Sequence, residues 1–468
     1  MAAAAHTRRV PERGASTRGG ARLPRGPSWP AAAQLAAWIY FPFPFLERCR
    51  RRYGTPFTLR FPRWHSIVVF DDPGANRDVF TGRHEDLKAG QANEPLRPVV
   101  GPSSLLLLDG ERHLRERKLL LPPFHGARMA RYGEIMREIT ARDLARWPIG
   151  RTFRVQPRTQ AITLDIILRT VFGVDEGERL ERLRASVSGL IEEFSNPALM
   201  MPWFQVDLGP RSPWGRYVRH RAQTDALLHE QIEERSAVTA SREGAEGRDD
   251  VLAMLLDARR EDGSPLSRAE LRDELMTLLA AGHETTATAL AWTFHQLAQH
   301  PRVQARVHAE LDRVLGGGEV DPEGSSALTY LDAVIKETLR LQPVIGGIGR
   351  VLQAPMTVAG WDLPAGTMVA PSIYLTHRNA ALWPDPSRFD PDRFADPKKV
   401  SPYAFLPFGG GTRRCIGMAF ALYEMRIVLA TVLSRHRVLP APGQRIRTAR
   451  RSVTMAPSGD MPIVLVRR

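Results

Sequence analysis

Residues 408–417 read Phe-Gly-Gly-Gly-Thr-Arg-Arg-Cys-Ile-Gly and form the most distinctive stretch of this 468-residue sequence. Three consecutive glycines allow tight backbone turns and leave amide groups uncovered before Cys415. The residues that follow have helical periodicity, so Cys415 is predicted at or just before a helix N-terminus, where a thiolate is favoured over a thiol. A thiolate sulfur of this kind is well suited to bind a metal ion. A buried inert cysteine is the alternative, whereas a phosphate-binding loop would need a Lys-Ser/Thr ending that is absent.

The charge distribution argues against a nucleic-acid-binding protein. The sequence has 65 basic and 51 acidic residues and a net charge of +14, a balance that by itself fits a polyanionic partner. The excess lies at the two ends, because residues 1–53 carry +8 and residues 434–468 carry +7. The 380 residues between them are close to neutral. We therefore expect no nucleic acid as a partner.

The N-terminal composition sets the expected domain boundary. Residues 1–34 are predicted to be a disordered basic tail, since they are rich in Arg, Gly, Pro and Ala and lack a hydrophobic period. The apolar stretch 31–46 is too short for a spanning helix and contains Pro42 and Pro44. Two cysteines cannot build a disulfide framework in a chain this long. We expect a cytoplasmic protein without a membrane span and with one domain over residues 35–468.

A second motif, Ala-Gly-His-Glu-Thr-Thr at residues 281–286, lies midway along a predicted helix of about 34 residues. Ser267 with Glu270 gives this helix a capping-box start. Thr285 is placed to bond the carbonyl four residues earlier, and Glu284 beside it makes an acid–alcohol pair suited to a proton relay. A packed helix crossing is the alternative for the small residues, and a solvated face is the alternative for Glu284.

Two further pairs have helical spacing. Glu337 and Arg340 are three apart on a helix predicted to end before Pro343, which puts them on one face. His113 and Arg117 are four apart on another helix. An exposed ion pair is the alternative for the first pair, and a solvated basic face is the alternative for the second.

Taken in this order, the motifs resemble the cytochrome P-450 family of haem-thiolate monooxygenases over about residues 35–468. The cysteine loop matches the family pattern Phe-x-x-Gly-x-Arg-x-Cys-x-Gly. The other segments match Ala/Gly-Gly-x-Asp/Glu-Thr-Thr, Glu-x-x-Arg and the meander around Arg393. The resemblance implies a mainly α fold with a minor β region, a triangular prism with a long central helix across the haem.

The resemblance also implies a cofactor and the residues that hold it. The cofactor would be haem b, with Cys415 as the axial thiolate on iron and Phe408 packed near the sulfur. Four basic residues would hold the haem propionates: His113, Arg117, Arg350 and Arg413. The match at Arg350 is looser than the other three.

The remaining site residues fall into two groups. Glu284 and Thr285 would deliver protons to dioxygen. Glu337, Arg340 and Arg393 would form a buried structural network behind the haem.

The implied activity is insertion of one oxygen atom from O2 into a hydrophobic small molecule. Candidate substrate contacts are apolar, although core packing explains them equally well: Leu199, Met200, Met201, Trp203, Phe204, Leu278, Val344, Ile345 and Ile348. The sequence resembles soluble bacterial, actinobacterial-type members, which implies electrons from a ferredoxin and an NAD(P)H-dependent ferredoxin reductase. A basic docking face for the donor would comprise Arg112, Arg115, Lys118 and Arg414.

Two other functions stay open on this scaffold. One is a peroxide-driven oxygenase that needs no redox partner, and the other is a non-catalytic haem-binding or sensor protein. The intact Glu284–Thr285 pair argues against both, because activation of dioxygen is the task that needs a proton relay.

Overall fold

The structure is a computed structural model that describes residues 22–124, 126, 128–174, 177–196, 199, 205–240, 250–443 and 445–468. Helices dominate these residues, in chain order α1 (Ala31–Tyr40), α2 (Pro42–Tyr53), α3 (Pro73–Thr81), α4 (Ala89–Ala92), α5 (Arg97–Val100), α6 (Gly110–Leu120), α7 (Arg128–Leu144), α8 (Gln156–Phe172), α9 (Glu178–Phe194), α10 (Pro213–Ala240), α11 (Val251–Asp257), α12 (Arg268–Gln299), α13 (Pro301–Leu315), α14 (Thr329–Leu341), α15 (Ile373–His377) and α16 (Met418–Leu433).

The strands are short and form a minor part of the described chain. They are β1 (Phe57–Arg60), β2 (Ser66–Phe70), β3 (Leu87–Lys88), β4 (Thr152–Arg154), β5 (Arg350–Leu352), β6 (Met356–Val358), β7 (Trp361–Leu363), β8 (Met368–Pro371), β9 (His436–Pro440), β10 (Thr448–Arg451), β11 (Thr454–Pro457) and β12 (Pro462–Arg467). The largest sheet has the order β1-β2-β8-β5-β3, and its β2–β8 pair is parallel. Strands β10 and β11 form an antiparallel hairpin in which Arg450 is opposite Met455.

Helix α12 is the central element of the core. It begins with the predicted capping box, in which the Ser267 side chain accepts from the Glu270 amide and the Glu270 carboxylate accepts from the Ser267 amide. The helix is 32 residues long, which confirms the prediction of a long helix there. It packs against α8, α10, α14 and α16, so a side chain at its midpoint is enclosed by other helices.

The N-terminal region differs from the predicted boundary at residue 34. Residues 1–21 of the predicted tail lie outside the described residues, but the chain is described from Arg22 onward. Gln34 is 1% exposed; its side-chain amide donates to the Trp29 carbonyl at 2.8 Å, and its Oε1 accepts from the Arg60 amide at 2.9 Å. These bonds join the segment before α1 to the large sheet. The polar composition of this segment does not by itself indicate that it packs against the rest of the chain.

The apolar stretch 31–46 forms α1 and the start of α2. Pro42 opens α2 at its first position, where a missing amide proton costs nothing. Among the residues that the structure describes, no helix is long and apolar enough to cross a membrane.

The remaining motifs lie on the predicted elements. His113 and Arg117 are on α6, and Glu337 and Arg340 are on α14, which ends two residues before Pro343. The cysteine loop runs into α16, whose first residue is Met418. Three elements therefore bring the site together: the middle of α12, the start of α16 and the inner face of α6.

Candidate functional site

The loop before α16 presents Cys415 to an internal cavity. The Cys415 amide donates to the Phe408 carbonyl at 2.9 Å, which folds the loop back onto the aromatic residue. Gly409 and Gly411 have φ angles of 69° and 65°, a conformation that side chains rarely permit. A side chain at Gly411 would also collide with the Phe80 backbone. The glycine run is therefore explained by the path that the backbone takes to Cys415.

Two opposing effects act on the Cys415 thiol. Burial raises the pKa of Cys415, while the Gly417 amide and the guanidinium groups of Arg117 and Arg414 lower it. The net direction is upward, so the start of α16 does not by itself produce the thiolate that the sequence predicts. Coordination to a metal ion deprotonates a thiol outright, and the surrounding positive groups then stabilise the anion.

Four basic side chains converge on the cavity beside α6: His113, Arg117, Arg350 and Arg413. Burial and then the charges of Arg413, Arg117 and Arg350 lower the pKa of His113 to about 3. His113 is 3% exposed, so the alternative of a solvated basic face is wrong for it. Among the described residues, Asp109 pairs with this cluster, at 2.7 Å from Arg413. Three positive groups against one carboxylate make a site for an anion.

The middle of α12 combines close packing with a cavity wall. The Thr285 hydroxyl donates to the Ala281 carbonyl at 2.6 Å, as the motif predicts. A Cβ at Gly282 would lie 2.9 Å from the Ile167 side chain on α8, so the helix-crossing interpretation is correct for this glycine. Ala280, Ala281 and Thr285 line the cavity. The small residues thus allow α12 to pack closely against α8 and also leave room for the cavity on the other side.

Glu284 is a buried acid next to the same cavity. It is 8% exposed, so the alternative of a solvated face is wrong. Its Oε2 accepts from the Gln160 amide at 2.8 Å, whereas Oε1 is buried without a hydrogen-bond partner. Burial raises the pKa of Glu284, and the Gln160 bond and the charge of Arg451 lower it. An acid with a raised pKa beside an alcohol is a suitable donor and acceptor of protons.

Glu337, Arg340 and Arg393 form a network. The Arg340 Nε lies 2.6 Å from Glu337 Oε2, and both side chains are 0% exposed. The Arg393 Nε lies 3.5 Å from Glu337 Oε1. Arg340 also donates to three carbonyls, those of His377, Pro386 and Arg388. The alternative of an exposed ion pair is therefore wrong, and the network joins α14 to the segment that leads to the cysteine loop.

The cavity has a volume of about 940 Å³ and a mainly apolar lining. Cys415 and Phe408 line it together with Thr285, and it extends to Trp38 on α1. Glu284 is the single acidic residue among the described lining residues. An apolar space of this size beside a cysteine and an alcohol can hold both a large planar group and a small organic molecule.

Comparison with known families assigns the chain. A family model described as "Cytochrome P450" matches residues 24–464. The chain belongs to the cytochrome P450 family. This P450 is 41% identical over 440 residues to a Mycobacterium tuberculosis protein named cytochrome P450 135B1, covering 93% of this chain and 89% of the relative. It is 39% identical over 448 residues to cytochrome P450 138 of Mycobacterium bovis, covering 96% and 97%.

Solved structures of other P450s have the same fold. A structure described as retinoic acid bound cyanobacterial CYP120A1 superposes with a TM-score of 0.82 at 28% identity, covering 96% of this chain and 100% of that one. The haem domain of cytochrome P450DA superposes with a TM-score of 0.80 at 26% identity, covering 95% and 98%. The predicted family and the mainly α fold with a minor β region are confirmed.

As a P450, the protein is a haem monooxygenase, and its cofactor is haem b with a cysteine thiolate ligand. Members of this family use O2, redox partners and organic substrates. The residues present fit this cofactor. Cys415 opens onto the cavity, while Cys49, the other cysteine, is 2% exposed inside a hydrophobic cluster. The cluster of His113 and three arginines has the positive charge that two propionates need.

The predicted substrate contacts of this P450 fall into three groups. Leu278, Val344, Ile345 and Ile348 line the cavity. Leu199 is 2% exposed in the main hydrophobic core and is not among the described residues that line the cavity. The others lie outside the described residues: Met200, Met201, Trp203 and Phe204.

The structure adds cavity residues that the sequence did not indicate. Leu190 and Phe194 come from α9, Trp38 from α1, and Arg450 and Met455 from the β10–β11 hairpin. The residues of α9 belong to an ordinary amphipathic pattern, which does not show what the helix faces. The hairpin lies far along the chain from every motif, so only tertiary structure brings it to this P450 cavity.

Proposed function

We propose that this P450 inserts one oxygen atom from O2 into an apolar small molecule bound in the 940 Å³ cavity, with electrons from a separate protein. The observation that carries the proposal is one apolar cavity lined by both Cys415 and Thr285. A lipophilic substrate is supported by the solved relative that is described as bound to retinoic acid.

In this proposal Cys415 would be the thiolate that binds the haem iron, and a basic cluster would hold the propionates: His113, Arg117, Arg350 and Arg413. Guanidinium groups pair with carboxylates through two parallel hydrogen bonds. When bound, haem supplies the iron at which dioxygen is reduced and one oxygen atom is transferred. Phe408 covers the loop that carries the sulfur and keeps water away from it, and the Gly417 amide stabilises the thiolate charge.

Proton delivery is assigned to Glu284 and Thr285. The Thr285 proton points at the Ala281 carbonyl, so the lone pairs of its Oγ1 can accept a hydrogen bond from a group in the cavity. Glu284 takes up a proton at a carboxylate oxygen and releases it toward the cavity, which its raised pKa allows. Gln160 holds one carboxylate oxygen and leaves the other free for this exchange.

Glu337, Arg340 and Arg393 are assigned a structural role. Arg340 bonds to carbonyls at residues 377, 386 and 388, and the chain from there leads to the Cys415 loop. A buried ion pair with all its donors satisfied is costly to break. The network therefore fixes the approach of the loop and takes no part in the chemistry.

The electron donor is proposed to be a ferredoxin, reduced by an NAD(P)H-dependent reductase, that docks on a basic face. Arg112, Arg115 and Lys118 are exposed on α6, on the side of the helix away from His113. Arg112 lies 3.5 Å from Glu270 and Lys118 3.2 Å from Glu261, so part of this charge is already compensated. Arg115 has no acidic partner among the described residues, and it supports the docking role best.

A spectrum of the purified protein tests the proposal. The reduced carbon monoxide complex should show the red-shifted band of thiolate ligation, and Cys415→Ser should abolish it. Apolar ligands should then shift the spin state, and product should form with ferredoxin, reductase and O2. A protein that forms product only with peroxide would be the peroxide-driven oxygenase instead. One that shows the band but oxidises nothing with either oxidant would be a haem-binding sensor.

A further inference from the structure

Arg450 on β10 is a cation in the cavity wall that has no acidic partner in the described part of the chain. Its guanidinium carbon lies 3.7 Å from the centre of the Trp38 ring, and its Nε is buried without a hydrogen-bond partner. Among the described residues, no carboxylate lies within ion-pair distance of it. Burial alone lowers the pKa of Arg450 to about 9, so the side chain still carries its charge at neutral pH. A desolvated, unpaired cation is costly unless an anion joins it.

The other cavity arginines differ from Arg450. Arg451, the next residue, pairs with Asp460, and Arg413 pairs with Asp109 at 2.7 Å. Arg117 and Arg350 belong to the cluster assigned to the propionates, and neither affects the pKa of Arg450. Two more are exposed to solvent, Arg63 and Arg414, where screening weakens any attraction. Outside the basic cluster, Arg450 is thus an enclosed cation of the cavity wall that pairs with no carboxylate among the described residues.

The position of Arg450 is held from several sides. Met455, its partner across the hairpin, donates its amide to the Val344 carbonyl at 2.8 Å and accepts from the Trp292 indole at 2.9 Å. The turn of the hairpin is tied to the end of α9 by the amide of Ser452, which donates to the Ser195 carbonyl at 3.2 Å. These bonds fix the strand, so the guanidinium is preorganised for a ligand and loses little entropy on binding.

We propose that Arg450 binds the carboxylate of a substrate whose hydrocarbon part extends through the apolar cavity toward Cys415. The substrate class is an amphipathic carboxylic acid, such as a fatty or terpenoid acid. This inference rests on the proposed function, because it specifies the molecule that the oxygenase takes. Trp38 stacks on one face of the guanidinium and packs 5.4 Å from Phe61, which leaves the hydrogen-bonding edge for the ligand and keeps the site apolar around it.

The charge balance favours a carboxylate over a phosphate. One guanidinium supplies one positive charge and two parallel donors, which match a singly charged carboxylate. A phosphate monoester carries close to two negative charges at neutral pH, and one of them would lie unpaired against Trp38. Arg450 is not among the charged groups that act on Cys415. Oxidation would then occur on carbon remote from the acid group.

Paired ligands test the role of Arg450 in the holoenzyme. Straight-chain fatty acids of graded length are each compared with the primary alcohol of the same length, at neutral pH. Dissociation constants come from the spin-state shift and from calorimetry, for wild type, Arg450→Gln, Arg450→Lys and Arg447→Gln. Arg447 is the matched control, because it is exposed, precedes the same strand and does not line the cavity.

We expect wild type to prefer the acid over the alcohol. Arg450→Gln should weaken acid binding about 10- to 100-fold, the usual value of a hydrogen-bonded charge, and leave alcohol binding within about threefold. Arg450→Lys should restore part of the preference, and Arg447→Gln should not change it.

Four results would overturn the inference. Equal weakening of acid and alcohol in Arg450→Gln would mean that the side chain only supports the cavity wall. Equal affinity of wild type for acid and alcohol would mean that the cavity binds apolar chains without a contact to the carboxylate. The proposed oxygenase function would not be affected by that result. Tighter binding of an alkyl phosphate than of the matching acid would assign the site to phosphate. If no apolar ligand of either kind binds, the proposed function fails as well.

Discussion

The side-chain amide of Gln160 on α8 donates a hydrogen bond of 2.8 Å to Oε2 of Glu284 on α12. The bond stabilises the charged carboxylate and therefore lowers the pKa of Glu284, against the burial that raises it. The charge of Arg451 and the Thr288 hydroxyl also lower this pKa, but less than Gln160 does. Gln160 is thus the main group that opposes burial in setting how readily Glu284 gives up its proton.

Replacing Gln160 by Leu should move the pH dependence of turnover. Without the hydrogen bond, which lowers the pKa of Glu284, that pKa should rise further. The limb of the pH profile that follows Glu284 should therefore move to higher pH. Thr163→Val is the matched control, because Thr163 lies one turn along α8 and bonds with His283 at 2.8 Å instead. A profile that stays in place, or moves equally in the control, would contradict the prediction.

Thr285→Ala should separate oxygen consumption from product formation. The variant removes the Oγ1 that faces the cavity and leaves the Cys415 loop untouched, so the thiolate band with carbon monoxide should be unchanged. Product per electron pair should fall about tenfold or more, with peroxide making up the difference. Thr285→Ser keeps the oxygen and should keep most of the coupling. Full coupling in Thr285→Ala would remove Thr285 from the relay.

Loss of Arg340 should destabilise the protein far more than loss of Arg393. Arg340→Leu leaves Glu337 without its fully buried partner and leaves three carbonyls without their donor, at a cost of about 3–5 kcal/mol. Arg393 lies farther from Glu337, at 3.5 Å, and its loss leaves the closer Arg340 partner in place, so Arg393→Leu should cost much less. Thermal denaturation and haem content measure both. Equal losses, or a larger one in Arg393→Leu, would show that the carbonyl bonds of Arg340 contribute little.

Charge reversal on α6 should slow electron transfer from the donor. Arg112→Glu with Arg115→Glu removes positive charge from the proposed docking face, and the reduction rate should fall about tenfold at low salt. The dependence of that rate on salt should weaken too. Arg302→Glu, an exposed reversal on α13, is the control. An unchanged rate with an unchanged salt dependence would place the docking face elsewhere.

His377 should make the fold sensitive to acid. Its Nε2 accepts from the Leu406 amide at 2.8 Å, so its Nδ1 carries the proton and donates to the Arg340 carbonyl at 3.2 Å. Burial lowers the pKa of His377 to about 3, whereas an exposed imidazole titrates near pH 6.5. As the pH falls below about 6.5, the unfolded chain takes up a proton that the folded chain refuses. The folded state should therefore lose stability between about pH 6.5 and 3, by about 1.4 kcal/mol per pH unit.

The variant His377→Asn has no imidazole at this position, so its unfolded chain should take up one proton fewer than the wild-type chain as the pH falls. The slope of the unfolding free energy against pH, measured by denaturant titration between pH 6 and 4.5, should decrease by about 1.4 kcal/mol per unit. Other buried groups also contribute to the pH dependence of the unfolding free energy, so the slope of the variant is compared with the slope of the wild type. The exposed His229, changed to Asn, serves as the control. The same slope in His377→Asn and wild type would mean that this imidazole accepts a proton without loss of the native state.

The local motifs could be predicted from the sequence because each depends on neighbouring residues. Three such features each form within a single helix: the capping box at Ser267, the Thr285 bond to Ala281 and the Glu337–Arg340 pair. Helical spacing brings such groups together whatever the rest of the chain does. The structure agrees most closely with the sequence-based predictions at these local features.

Contacts between distant segments could not be predicted in the same way. Gln160 meets Glu284 only because α8 crosses α12, and Arg450 reaches Trp38 only because the hairpin folds back on α1. Leu199 and Leu278 are both apolar, yet only Leu278 faces the cavity. A pattern of apolar residues shows that a side chain is buried, but not which surface it is buried against.

The cluster of Arg117, Arg350 and Arg413 also matters before the cofactor arrives. These guanidinium groups point into one space with Asp109 as their acidic neighbour, and burial lowers the pKa of Arg350 and of Arg413 to about 10. Mutual repulsion and lost hydration strain the apoprotein there. In the proposed haem site, the two propionate carboxylates would relieve both costs. The cofactor would then act as a counter-ion for this cluster as well as a reagent.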